Sequence, residues 1–150
     1  MKYSQMFKKA ALLIVAAVTV ISCSKEQALI NKIEGSYKIE KAVYLVISGD
    51  SVITYPNSTM FFDNCKLKDQ TAQQCKGYYE IEGQNRLMFD YLPDKDGSKE
   101  KMQINIGDFS LKPYFGGSYI IENRTEKSLV LIRQSSFFGN NIDLRIFLRR

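Results

Sequence analysis

From Tyr37 to Arg149 apolar and polar side chains alternate with a period of two, and no other feature limits the fold as much. Successive side chains on a strand point to opposite faces, so the pattern describes strands with one buried side and one wet side. The first strand is expected to carry Tyr37, Ile39, Lys41, Val43, Leu45 and Ile47 on one face and to end at Gly49-Asp50. Thr59 to Asp63 and Gly77 to Glu82 supply the second and third strands, and Leu87, Phe89 and Tyr91 follow a turn at Gly83-Gln84-Asn85. A turn at Pro93-Asp94-Lys95-Asp96-Gly97, rich in residues that turns require, leads to Met102, Ile104 and Ile106. Tyr119 to Asn123 and Leu129 to Gln134 predict a hairpin across Arg124-Thr125-Glu126-Lys127. The last strand turns Ile142, Leu144, Ile146 and Leu148 inward, with Asp143, Arg145, Phe147 and Arg149 outward. With no repeat or linker dividing them, these strands predict one all-β domain, an antiparallel barrel or sandwich of about eight strands. A short helical pattern through Ala28, Leu29, Lys32 and Ile33, stopped by Gly35, precedes them.

The residues before that helix follow a different logic. Lys2, Lys8 and Lys9 make a positive start, and Ala10 to Ile21 is almost wholly apolar. A membrane-spanning helix needs roughly 17–25 such residues, whereas the apolar part of a secretory signal needs only about 7–15. Val20-Ile21-Ser22-Cys23 closes the run and resembles the lipobox of bacterial lipoproteins. The resemblance implies that Cys23 becomes the first residue of the mature chain, with a diacylglyceryl group on its sulfur and a third acyl chain on its amine. One chain anchors a protein only marginally, whereas two or more hold it stably. In that class an aspartate after the cysteine marks inner-membrane retention. Ser24 stands there, which implies lipid anchoring at the outer membrane, on its periplasmic or cell-surface side. The expected organisation is a signal peptide over 1–22, a lipidated N-terminus and short helix over 23–34, and the β domain over 35–150.

Loss of the signal also removes the basic excess. Taking its three lysines from the 21 basic residues leaves 18 against 16 acidic ones, so high net charge gives no argument for nucleic-acid binding. With Cys23 acylated, Cys65 and Cys75 remain as an even pair in an oxidising compartment. They are expected to form a disulfide that staples the ends of a polar loop. Two thiols without a histidine anywhere in the chain make a poor metal site, and no metal or other cofactor is expected.

A helix leading into Gly35-Ser36-Tyr37, followed by a meander of about eight strands that ends on an arginine-bearing one, resembles the lipocalin-like family. The resemblance implies a small up-and-down barrel. Gly35 matches the family's opening Gly-x-Trp, Tyr37 stands in place of the tryptophan, and Arg145 or Arg149 would cover its ring.

Candidates for chemistry are few. Without histidine there is no usual general base and no Ser-His-Asp arrangement. Glu80 and Glu82, on one strand face about 7 Å apart, approach the spacing of a glycosidase pair, but alternating glutamates are also what a solvated strand face carries. Asp94-Lys95-Asp96-Gly97 places its glycine too early for an EF-hand loop and is expected to be a hairpin turn. The aromatics are more suggestive. Phe61, Tyr78, Phe137 and Phe138 belong to doublets that put rings on an outer face or a loop, where they would form a contact surface. The expectation is therefore a non-catalytic envelope lipoprotein that binds a small apolar or amphipathic ligand. The alternative is an accessory subunit docked on an outer-membrane protein complex.

Overall fold

The computed structural model describes residues 25–46, 49–67, 74–83, 85–108, 110, 114–134 and 142–150. The expected helix, α1, covers 25–33. It is followed by β1 (Gly35–Val46), β2 (Gly49–Thr54), β3 (Thr59–Phe62), β4 (Cys75–Ile81), β5 (Asn85–Asp96), β6 (Lys99–Asn105), β7 (Gly117–Arg124), β8 (Ser128–Gln134) and β9 (Ile142–Arg149). Every pairing is antiparallel, and β9 returns to pair with β1 over Lys38–Tyr44. The sheet is thus an eight-stranded closed barrel with one extra strand, as the alternation and the resemblance led us to expect.

The extra strand comes from a kink. β9 occupies one edge of β1, so β2 (paired with Lys41–Val46) and β3 (paired with Gly35–Lys38) must share the other. They run in line along it, interrupted at 55–58. The buried Ser58 holds the kink: its amide donates to the Tyr55 carbonyl, its carbonyl accepts from Ile39, and its hydroxyl accepts from the Glu82 amide. Gly49-Asp50 therefore opens β2 instead of closing β1. β2 escaped the alternation because it packs little: its residues are exposed or only half-buried, and Val52 is 58% exposed.

Three further expectations are corrected by register. The β1–β9 register slips between Ile39 and Lys41, so Glu40 and Lys41 both face out and the buried series continues through Ala42. The Lys41 ammonium lies over the Phe147 ring, 4.7 Å from its centroid, instead of in the core. Pro93 to Asp96 is strand, not turn, and the hairpin closes at Gly97-Ser98. Pro93 is tolerated there because β4 stops pairing at Tyr91, leaving that edge of β5 without a ladder bond to lose. Glu82 leaves the strand at φ +52° beside Gly83 at +73°, so Glu80 and Glu82 do not form a pair on one face.

The core is aromatic. Tyr37, Phe62, Tyr79, Phe89, Tyr91, Phe115 and Tyr119 are each at most 2% exposed. Their rings meet edge to face, tilted or stacked, Phe62 at 5.4 Å from Tyr91 and Tyr79 at 4.6 Å from Phe89, arrangements worth about 0.5–1.5 kcal/mol per pair beyond area burial. Gly77 allows this packing, since a Cβ there would sit 2.1 Å from the Phe89 ring. Leu29, Ile30 and Ile33 of α1 close one end of the barrel.

Candidate functional site

The register builds a row of outward side chains across four strands. Ser36 on β1 is opposite Phe61 on β3, Phe61 is opposite Tyr78 on β4, and Tyr78 is opposite Met88 on β5. The Phe61 and Tyr78 rings lie 5.9 Å apart and are half-buried, and Met88 is 60% exposed. Polar pairs border the row: Lys76 meets Asp90 on one side, and Arg86 meets Glu80 at 3.8 Å on the other. A groove of about 440 Å³ opens here, lined by Ser36, Thr59, Phe61, Tyr78, Glu80 and Arg86. Two of the four aromatics expected to form a contact surface are thus brought together. Phe137 and Phe138 lie outside the described residues, as do Cys23 and the expected signal over 1–22.

Comparison of the chain with protein-family models, with curated proteins and with solved structures gives no match.

At the end of the barrel that α1 closes, Cys65 and Cys75 are bonded, with Cα atoms 5.5 Å apart. Gln27 of α1 ties this loop to the helix. Its amide donates to the Cys65 carbonyl at 3.0 Å and its carbonyl accepts from the Leu67 amide at 2.9 Å. The ring of Tyr37 does lie under an arginine, but the arginine is Arg150, 4.8 Å from the centroid, which also donates to the Glu34 carbonyl. Arg145 and Arg149 point outward and pair with Glu122 and Glu40. Outward parity in β9 already excluded both. Only the step past the end of β9, where Arg150 reaches the Glu34 carbonyl, places a guanidinium over the ring. Gly35 meets the same group, with φ +116° and the Arg150 guanidinium 3.6 Å from where a Cβ would stand.

The opposite end is sealed by residues that the alternation did not single out. Phe115, from the β6–β7 connection, inserts between Tyr55 and Tyr79 at 5.6 and 5.5 Å. Arg133 holds that connection: its Nη1 donates to the Tyr114 and Gly116 carbonyls, and its Nε donates to Asp143 at 3.1 Å. Gly117 leaves room for the Arg133 side chain, which lies 2.6 Å from where a Cβ would be. The available signal was parity, since Arg133 follows Leu129 and Leu131 at steps of two. Tyr119 donates to the Phe115 carbonyl at 2.5 Å, whereas the buried Tyr79 hydroxyl has no partner among the described residues. Burial pushes the pKa of both phenols above the ordinary tyrosine value, partly offset by the Arg133 charge. Among the described residues no group of three or more acidic or cysteine side chains is arranged to hold a metal, and no helix is long and apolar enough to cross a membrane.

Proposed function

We propose that this chain is a non-catalytic lipoprotein of the bacterial cell envelope, held at the outer membrane by acyl chains on Cys23. In this reading its lipocalin-like barrel acts by binding a protein partner of the envelope. The anchor rests on the lipobox residues Val20 to Cys23. The binding mode rests on one observation: the barrel interior is occupied by its own rings, while Phe61, Tyr78 and Met88 form an apolar row on the outside, bordered by ion pairs. An apolar centre with a polar rim is the composition of a protein contact.

A photo-crosslinking amino acid at Tyr78, with the exposed Asn123 on β7 as the control position, tests the contact in intact cells. A discrete adduct from position 78 and none from 123 is expected; identical adducts, or none, end the reading. Cys23→Ser should abolish palmitate labelling and leave unprocessed precursor.

One observation favours the small-ligand alternative. The Tyr79 hydroxyl, buried beside Phe115 without a partner among the described residues, is a polar group that an amphipathic molecule entering at the β6–β7 end would satisfy. Native mass spectrometry of the delipidated domain decides it: a co-purifying small molecule is expected under that alternative and its absence refutes it.

A further inference from the structure

We infer that the helix-closed end of the barrel rests on the phospholipid headgroups of the bilayer, so that the β6–β7 end is presented away from the membrane. This rests on the reading that Cys23 carries the anchor. Strand direction defines the two ends. α1, the disulfide loop, the Gly97-Ser98 hairpin, the β7–β8 turn and Arg150 gather at one end. The last residues of β4, β6 and β8 and the first residues of β5, β7 and β9 gather at the other.

The tether is short. The described part of α1 starts at Lys25, two residues from Cys23, and two Cα–Cα steps reach about 7–8 Å at most. It also has little slack, because α1 is fastened to the barrel. Leu29, Ile30 and Ile33 are at most 1% exposed, Gln27 is bonded to the disulfide loop, and the Glu34 carbonyl accepts from Arg150. Acyl chains buried below Cys23 therefore hold α1 itself within a headgroup's depth of the surface. A flexible leader would leave the barrel free to turn over, but here the rigid body starts almost at the lipid.

The outward face of α1 suits that position. Its exposed side chains are Lys25, Ala28, Asn31 and Lys32, with the acid Glu26 half-buried beside them, and the neighbouring loop and turns at this end add the exposed Lys66, Lys99 and Lys127. Asp63, Asp94 and Glu126 lie at the same end, so the charge complementarity to phosphate belongs to the α1 face and not to the whole end. At roughly 3.4 Å per residue and a barrel tilt near 40°, the eight residues of β9 carry the far end about 20 Å from the surface.

The chain contains no tryptophan, so a single introduced indole reports its own depth. The full lipidated chain, as Lys32→Trp on α1 or Val52→Trp on β2, is reconstituted into phosphatidylethanolamine–phosphatidylglycerol vesicles containing phosphatidylcholine brominated near the headgroup. Quenching of Lys32→Trp several-fold greater than that of Val52→Trp is expected. Equal quenching, or the reverse order, overturns the orientation. A Gly/Ser spacer of about 20 residues between Ser24 and Lys25, with an r.m.s. reach of about 25 Å, should remove most of the difference. If it persists unchanged, the short-tether argument is wrong. Flotation with the vesicles and the acyl mass on Cys23 are read on the same samples. A chain that fails to float refutes the anchor and this inference together; one that floats with equal quenching refutes the orientation alone.

Discussion

Tyr79 and Tyr119 belong to one buried cluster, yet their hydroxyls stand in opposite situations. Removing the Tyr119 hydroxyl strips the Phe115 carbonyl of its donor, and an unsatisfied buried acceptor costs about 1–3 kcal/mol. Removing the Tyr79 hydroxyl deletes a buried polar atom that has no described partner. Tyr119→Phe should therefore lower the free energy of unfolding by about 1 kcal/mol or more, while Tyr79→Phe leaves it unchanged or raises it. Urea denaturation of the two variants checks the difference in sign, and equal losses would show that the Tyr79 hydroxyl is bonded after all. At this scale the sequence was legible only in part. Tyr79 alternates with Glu80 and Tyr119 stands two positions before Ile121, so parity puts both phenols on an inward face, but it is silent on which oxygen finds a carbonyl. The same holds for Arg150. A covering arginine near the end of the last strand was expected, but its identity depended on where that strand stops relative to α1.

At the scale of elements, α1 and the disulfide loop form one assembly through Gln27, and both contribute stability that the strands alone would lack. Ile30 is fully buried against the barrel and Ala28, on the same helix, is exposed. Ile30→Ala should cost about 2–5 kcal/mol in unfolding free energy, and Ala28→Ser less than about 0.5 kcal/mol, measured by urea titration. Cys65 and Cys75 are separated by ten positions, for which chain entropy predicts a stabilisation of about 2.7 kcal/mol. Reduction should lower stability by about that amount, and a thiol assay on denatured, unreduced residues 25–150 should find no free sulfhydryl. Hairpins and faces were the legible part here: the β7–β8 hairpin and the inward Leu144, Ile146 and Leu148 of β9 stand where the alternation put them. The split of β2 from β3 was not legible, because β2 sets the exposed Val52 next to Ile53, which packs on the core, so its apolar residues do not alternate with polar ones.

For the molecule as a whole, a core built on phenols gives stability a particular pH dependence. Burial raises the pKa of Tyr55 to about 12 and pushes Tyr79, Tyr91 and Tyr119 up as well. In the unfolded chain these groups ionise near pH 10. A raised folded pKa means that the native state keeps protons the unfolded state gives up, so this contribution is complete below about pH 10 and is lost as the pH rises toward the folded values. Stability should be level up to about pH 10 and then fall, each buried phenol contributing up to about 1.4 kcal/mol per pH unit. Denaturation midpoints between about pH 8 and 11 check this, and Tyr119→Phe should shallow the decline by one proton. By itself the sequence determined the fold class, most strand faces and the aromatic composition of the core, because alternation is a local property that each strand writes along its own length. The bulge at Glu40, the arginine over Tyr37, the Phe115 seal and the row from Ser36 to Met88 were decided only in the tertiary structure. Each depends on how one strand is set against its neighbour, and a slip of one residue there exchanges inside for outside without changing any segment's own pattern.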